Sequence, residues 1–355
     1  MVLQTAFIGD VVYTSPLVHA IKQQYPDASI SLLVSPRAKD IARCIPGVDE
    51  VITFDKHGQD AGPVGVLRMA QRIRNQRFDL LVSPHRSFRT AMLAMFTGIP
   101  MRVGYCNGLG RLAYHATVKP NSKRTSALVK DLELLEKVNI QPSGTTLRLK
   151  GPEDKQPYVR YFYRRNNLEA DAKLVSLCIG AFWETKRWPA VYFASLSESL
   201  KERGYLSVLF GGPNERGIAT EIENALGEPV MSCVGNSLSE SAALMERCVM
   251  AVGGDSGLTH MADALGVPTV FIYGPTDQRQ HSFGGKTKVL TAKVKCRPCS
   301  RHGPRRCPER HHDCMRLVSP ENVLAGVKDL ITFQTASVPE KNGQLNRPGV
   351  TSLPS

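Results

Sequence analysis

Several short stretches of this chain combine acids, cations and glycines in patterns that could do chemistry. In Gly253-Gly254-Asp255-Ser256-Gly257-Leu258-Thr259-His260 an apolar run gives way to a helix-forming one. Glycines let the backbone approach a ligand closely, and Ser256 suits a helix cap. Free N–H groups at a helix N-terminus, reinforced by the dipole, form an anion site. The loop therefore suits a diphosphate. Glycines alone would equally make a plain turn, but Asp255, and His260 one turn into the helix, favour a binding site. The stretch has neither GxGxxG nor GxxxxGK[ST] spacing.

Trp183-Glu184-Thr185-Lys186-Arg187-Trp188-Pro189 holds both tryptophans of the chain around two cations. Lys186, a compact point charge, suits a phosphate; the alternative is a solvated Lys-Arg pair above a packed Trp188. Gly211-Gly212-Pro213-Asn214-Glu215 offers a carboxylate to ribose hydroxyls, or a capping turn. Asp10, after the first apolar run, suits a general base or an N-cap. His85, Arg86, Ser87 and Arg89 could receive an anionic acceptor, or simply open a helix.

These stretches need elements to hold them. Apolar runs at Val2–Ile8, Ile30–Val34, Val51–Phe54 and Asp79–Ser83 predict strands. Helical patterns lie between and after them at Ser15–Gln24, Val66–Asn75 and Phe88–Thr97. The alternation resumes with strands at Leu174–Ile179, Leu206–Phe210, Val249–Val252 and Thr269–Tyr273. Helices are predicted at Tyr192–Arg203, Ser239–Arg247, Gly257–Leu265 and Pro320–Phe333. Such alternation implies parallel sheets with right-handed crossovers. Between the two series, Gln141–Tyr158 carries Pro142, Gly144, Gly151, Pro152 and Pro157 and reads as the approach to a domain junction. The expectation is two doubly wound Rossmann-like α/β domains, residues 1–157 and 158–333, facing across a cleft, with a polar, disordered tail at 334–355. Ligands bind such sheets at the carboxyl ends of the strands, where the stretches above lie.

Four motifs in order, Gln4-Thr5-Ala6-Phe7-Ile8-Gly9-Asp10-Val11-Val12, Thr185-Lys186-Arg187-Trp188-Pro189, Gly254-Asp255-Ser256-Gly257-Leu258-Thr259-His260 and Tyr273-Gly274-Pro275-Thr276-Asp277, resemble the ADP-heptose:lipopolysaccharide heptosyltransferases of glycosyltransferase family 9. The resemblance runs from about Val2 to about Ile331, and the Cys296–Cys314 segment is most like the heptosyltransferase II type. It implies a GT-B fold whose N-terminal domain takes the lipopolysaccharide inner core and whose C-terminal domain takes ADP-heptose. It implies an inverting transfer with Asp10 as base and Lys186 near the donor phosphate and sugar. Asp255, Ser256, Gly257 and His260 match the donor loop, with Thr185 beside Lys186; Glu215 matches more loosely. Its final helix packs back across both domains. Fixed cations can replace a metal at the leaving diphosphate, and no acidic D-x-D pair stands in a plausible donor loop, so the expectation is no obligatory cofactor and no essential magnesium.

The formal net charge of +13 points to an anionic partner or to a solvated basic surface. It suits a lipid-linked oligosaccharide acceptor at an acidic membrane surface. No apolar run approaches the ~20 residues of a membrane helix and no signal peptide is apparent, which predicts a cytoplasmic protein, peripheral at the inner face of the cytoplasmic membrane. Of nine cysteines, Cys296, Cys299, Cys307 and Cys314 cluster among six arginines. They read as a family structural loop or a structural zinc site; a basic zinc knuckle would mean nucleic acid, which is not expected here. Other rivals are a GT-B enzyme with a different donor sugar, a sugar-nucleotide epimerase, and a non-catalytic donor binder, which Asp10 and Lys186 together argue against.

Overall fold

The computed structural model describes residues 1–106, 108–119, 126–142 and 144–336. It contains two six-stranded parallel sheets. The first is built from β1 (Val2–Gln4), β2 (Ser31–Val34), β3 (Glu50–Thr53), β4 (Leu80–Ser83), β5 (Met101–Tyr105) and β6 (Ala116–Val118), in the order 3-2-1-4-5-6. The second is built from β7 (Leu174–Cys178), β8 (Leu206–Phe210), β9 (Met231–Ser232), β10 (Cys248–Gly254), β11 (Thr269–Ile272) and β12 (Thr287–Leu290), in the order 9-8-7-10-11-12. The two orders are the same Rossmann order. Each sheet has a switch point, between β1 and β4 and between β7 and β10, where a crevice opens at the carboxyl ends.

The central strands are apolar on both faces because helices cover both: Leu174–Cys178, Thr269–Ile272 and Ser31–Val34 are buried throughout. One apolar cluster runs through both halves, from Val2, Val11 and Ile41 to Leu244, Met261 and Ala264. The linking segment is tied to both. Arg148 N donates to Ser15 Oγ, Leu149 N to Ala264 O and Lys150 N to Cys44 O. The helix Gln156–Arg165 then packs on Leu238–Met245. The final helix, Pro320–Ala336, puts Val323, Val327 and Leu330 into the core of the second half, where Trp188 also lies. Trp188 Nε1 donates to Val318 O at 2.8 Å.

The first strand is shorter than expected. It pairs only over Val2–Gln4, and Ile8–Val12 forms a helical turn instead. The reason is local. Asp10 Oδ2 accepts the Phe7 N–H at 3.1 Å, capping a helix start where continued extension was expected. Among the described residues, several regular elements between the expected ones went unread, among them β5, β6, β9, β12 and the helices Lys39–Arg43, Ala127–Glu136 and Gln156–Arg165. The segment Gln141–Tyr158 ends in regular structure: a 3₁₀ turn at Glu153–Lys155 leads into the helix Gln156–Arg165, which runs through position 157. Of the expected tail, residues 337–355 lie outside the described residues.

Asp263 shapes the loop after β11. It is fully buried on the helix Gly257–Ala264 and accepts from Gly284 N, Gly285 N and Thr287 Oγ1. Replacing it leaves the N–H groups of half-buried Gly284 and exposed Gly285 without their acceptor, where a fully buried group would lose about 1–3 kcal/mol. Asp263→Ala should lower unfolding free energy in urea by at least about 1 kcal/mol, and an unchanged midpoint would contradict this role.

Candidate active site

Four of the residues singled out in the sequence follow the four strands that flank the two switch points. Asp10 follows β1 and Arg86 follows β4; Lys186 follows β7 and Asp255 follows β10. The two halves then meet. A Cβ on Gly257, at the N-terminus of the helix Gly257–Ala264, would stand 3.2 Å from the Ile8 side chain. The helix carrying Asp10 thus packs against the helix that follows Asp255.

Asp255 is the centre of the cluster. It is buried, and its Oδ2 accepts from Lys186 Nζ at 2.6 Å and from Thr276 Oγ1 at 2.8 Å. Its Oδ1 accepts from His260 Nε2 at 3.0 Å. Burial works to raise its pKa, but the His260 hydrogen bond and the charges of His281 and Lys186 outweigh burial and hold the carboxyl well below its usual range. The glycine before it is required: a Cβ on Gly254 would lie 2.4 Å from the Lys186 carbonyl oxygen. Only glycine lets the β7 loop cross β10 so closely.

His260 is one turn along the helix, as expected. Ser256 caps that helix, its Oγ accepting Thr259 N. The remaining first-turn N–H groups at Gly257 and Leu258 have no partner within the helix and face outward from its start. Tyr13, three residues past Asp10, reaches across the halves to the same cluster. Its hydroxyl lies 2.9 Å from His281 Nδ1 and 3.5 Å from His260 Nδ1. Burial pushes the Tyr13 phenol well up and the His281 imidazole down to about 4. A neutral His281 accepting from Tyr13 leaves its Nε2–H facing Asp255 Oδ1 at 3.8 Å.

Asp10 is half-buried. Burial raises its carboxyl, opposed by the Phe7 N–H and by the charges of His302, His260 and Lys186. On the same first half, a cavity of about 300 Å³ is lined by His85, Arg86, Ser87, Phe88, Tyr105 and Tyr114 among others. The Arg86 guanidinium sits 4.1 Å over the Tyr105 ring, and Tyr105 donates to buried Asp131 at 2.5 Å. Burial raises Asp131 to about 7, with Asp10 adding to the rise. Arg89 is elsewhere, donating to Lys56 O.

Two expected donor contacts are engaged within the protein. Thr185 Oγ1 donates to Pro304 O. Glu215 Oε2 accepts Gly212 N at 2.8 Å, and its Oε1 lies 3.6 Å from Arg187. Thr276, Tyr13, His281, Tyr105 and Asp131 were not singled out. Thr276 sits within one of the quoted motifs, while the others join the cluster only through contacts distant in sequence.

Asp255, His260 and His281 are the one group among the described residues whose ligand atoms fall within 4.8 Å of one another. Lys186 and Thr276 already satisfy one oxygen of that carboxylate. The cysteines Cys296, Cys299, Cys307 and Cys314 are free thiols around one cleft that Thr185, Pro275 and His312 also line, and do not form a second such group.

The pH dependence follows from His281. In the unfolded chain an imidazole titrates near 6.5; folded, it stays neutral to about 4. Between these values the unfolded chain binds the extra proton, so this group makes stability rise with pH from about 4 to 6.5 and lose that contribution as pH falls. Urea unfolding at pH 5 and pH 7 should show a smaller difference in His281→Gln than in the parent protein; equal differences would contradict a neutral, buried His281.

Comparison with known proteins gives the family. A family model described as Glycosyltransferase family 9 (heptosyltransferase) matches residues 66–309, more than half of the chain. Lipopolysaccharide heptosyltransferase 2 of Escherichia coli is 27% identical over 357 residues, covering 95% of this chain and 99% of its own. Lipooligosaccharide heptosyltransferase 2 of Haemophilus influenzae is 25% identical over 350 residues, covering 93% and 99%. The crystal structure of a family 9 glycosyl transferase from Veillonella parvula superimposes with a TM-score of 0.83 at 23% identity, over 94% of this chain and 96% of that one. A GT-B arrangement of two like sheets, an acid and a cation at facing switch points, and these matches along nearly the whole length make the chain a member of glycosyltransferase family 9, the heptosyltransferases, and a glycosyl-transferring enzyme.

Proposed function

We propose that this enzyme moves a heptose from ADP-L-glycero-D-manno-heptose to the inner core of lipopolysaccharide, in the manner of the heptosyltransferases numbered 2 that it resembles. The observation that carries the reading is the meeting of Asp10 with the Lys186–Asp255 pair where the two halves touch. The first half, residues 1–157, takes the acceptor and residues 158–333 take the donor.

Asp10, its carboxyl raised by burial, removes the proton of the attacking acceptor hydroxyl. The hydroxyl attacks the anomeric carbon from the face opposite ADP, through an oxocarbenium-like transition state, and the configuration inverts. Charge then grows on the leaving diphosphate. Lys186, oriented by Asp255, spends one ammonium donor on that carboxylate and has others for the diphosphate. The N–H groups at Gly257 and Leu258 add the helix N-terminus. Ser256, Asp255 and His260 hold this loop in shape, with Thr185 and Glu215 bracing Lys186 and Arg187 rather than meeting the donor first. With these cations in place the reaction needs no bound magnesium.

The cavity of the first half fits an anionic sugar. Arg86 and Ser87 line it, and Arg86 suits the carboxylate or phosphate of an inner core. Next to it Leu109 and Leu112, 77% and 67% exposed, flank Arg111. Apolar tips beside a cation suit the surface of an acidic bilayer, which supports an acceptor embedded in a membrane. No helix among the described residues is long and apolar enough to cross one.

The test is transfer itself. With ADP-heptose, EDTA and a panel of heptose-deficient inner-core acceptors, ADP release and product mass should show one heptose added to one acceptor. Asp10→Asn should lower kcat by about 10²–10⁴-fold while leaving donor affinity near the parent value. ADP-heptose left intact with every acceptor, or Asp10→Asn at full rate, would overturn the assignment.

A further inference from the structure

Two large apolar side chains stand in water where the halves meet. Phe7, in the loop after β1, is 61% exposed, and Phe182, in the loop after β7, is 64% exposed. Their ring centroids lie 5.3 Å apart with the planes tilted by 55°, so this contact joins the first half to the second. Phe182 also meets Trp183 edge-on, at 4.8 Å and 85°. The row of rings then reaches the donor-side cation. A Cβ on Gly303 would stand 3.2 Å from the Trp183 ring and 2.9 Å from Lys186 Cε, so ring and lysine stem flank the same glycine. At its other end the row reaches the base, because the N–H that Asp10 Oδ2 accepts at 3.1 Å belongs to Phe7.

A phenylalanine gains most by leaving water, yet each of these keeps more than half of its surface there. Trp188, in the same loop as Trp183, shows the contrast: it is buried and hydrogen-bonded to Val318. Apolar surface held open beside polar reactive groups marks a ligand contact. A pyranose has the matching chemistry. Several of its C–H bonds gather on one face, and their weakly positive hydrogens complement the negative face of an aromatic ring. The sugar whose hydroxyl meets Asp10 must also lie beside Phe7, since the two residues share one turn of chain and one hydrogen bond.

We propose that Phe7 and Phe182 form the stacking platform of this active site, receiving the apolar face of the acceptor pyranose whose hydroxyl Asp10 deprotonates. One ring comes from each half, so the platform is whole only while the halves are together, and acceptor binding favours that arrangement. Stacking fixes the plane of the sugar, and the Asp10 carboxylate then selects the hydroxyl at its rim. The inference rests on the proposed transfer to an inner-core sugar with Asp10 as base.

The experiment compares the parent enzyme with Phe7→Leu, Phe182→Leu, Phe7→Tyr and Phe182→Tyr, measuring KM for acceptor and for ADP-heptose, ADP affinity and thermal midpoint. Leucine keeps the apolar bulk between the halves and removes the flat face; tyrosine keeps the face. Each leucine variant should raise the acceptor KM about 3–10-fold, with ADP affinity and midpoint as in the parent. Each tyrosine variant should stay near the parent. Leucine variants that keep the parent's acceptor KM would overturn the platform and leave the transferase reading standing. Loss of ADP affinity and thermal midpoint together with acceptor KM would overturn it too, reducing the pair to a contact between the halves. A rise confined to the KM for ADP-heptose would overturn the choice of sugar and give the platform to the donor. A parent enzyme that transfers heptose to no inner-core acceptor would overturn the functional reading itself, and the platform's acceptor with it.

Discussion

The site depends on one buried ion pair, Lys186 Nζ to Asp255 Oδ2 at 2.6 Å. A carboxylate this enclosed is costly to bury unless each oxygen is paired and hydrogen-bonded. Here both are: one takes Lys186 and Thr276, the other takes His260. That requirement organises the second half. Gly254 is needed so that the Lys186 backbone can pass within reach, Ser256 so that the helix bearing His260 starts where it does, and the turn after β11 so that Thr276 points inward. The same pairing leaves a lysine with donors to spare at the start of a helix, which is where a diphosphate is best held.

Placing an acid from the other half beside this pair is a matter of topology. Both sheets have the same strand order, so each offers its reactive loops at one switch point, and the halves face these points toward each other. The contact is made by the short helix Ile8–Val12 lying against the start of Gly257–Ala264, and by Tyr13 reaching His281. Tyr13 and Asp10 lie three residues apart at that helix, so the tether between the halves also fixes the base. A shared apolar core and the hydrogen bonds of residues 148–151 to both halves hold that arrangement.

Much of this was legible in the sequence where the signal was local. The Asp255–His260 loop announced itself because a strand end, three glycines, an acid, a cap and a histidine all fall within eight residues. Lys186 stood out between two tryptophans, and the central buried strands through unbroken apolar runs. What was missed lacked a local signal. The edge strands β6 and β9 are three and two residues long, too short for any period, and β12 carries a lysine on a half-buried edge. Tyr13 reads as one more apolar residue, and His281 and Asp131 as isolated polar ones; their roles come from partners far along the chain. Thr185 and Glu215 were read in the right loops, but their side chains turn to Pro304 and Gly212. The first strand was overdrawn because Asp10, read as its end, is the cap of the next helix.

The most direct test of the central claim is a double-mutant cycle on ADP-heptose affinity, measured by calorimetry on the parent protein, Lys186→Met, Asp255→Asn and the double variant. If Asp255 acts by orienting Lys186 toward the diphosphate, each single change weakens binding strongly and the double change weakens it little further. Losses that simply add, or an Asp255→Asn variant that binds ADP-heptose as tightly as the parent, would contradict a site built on this pair.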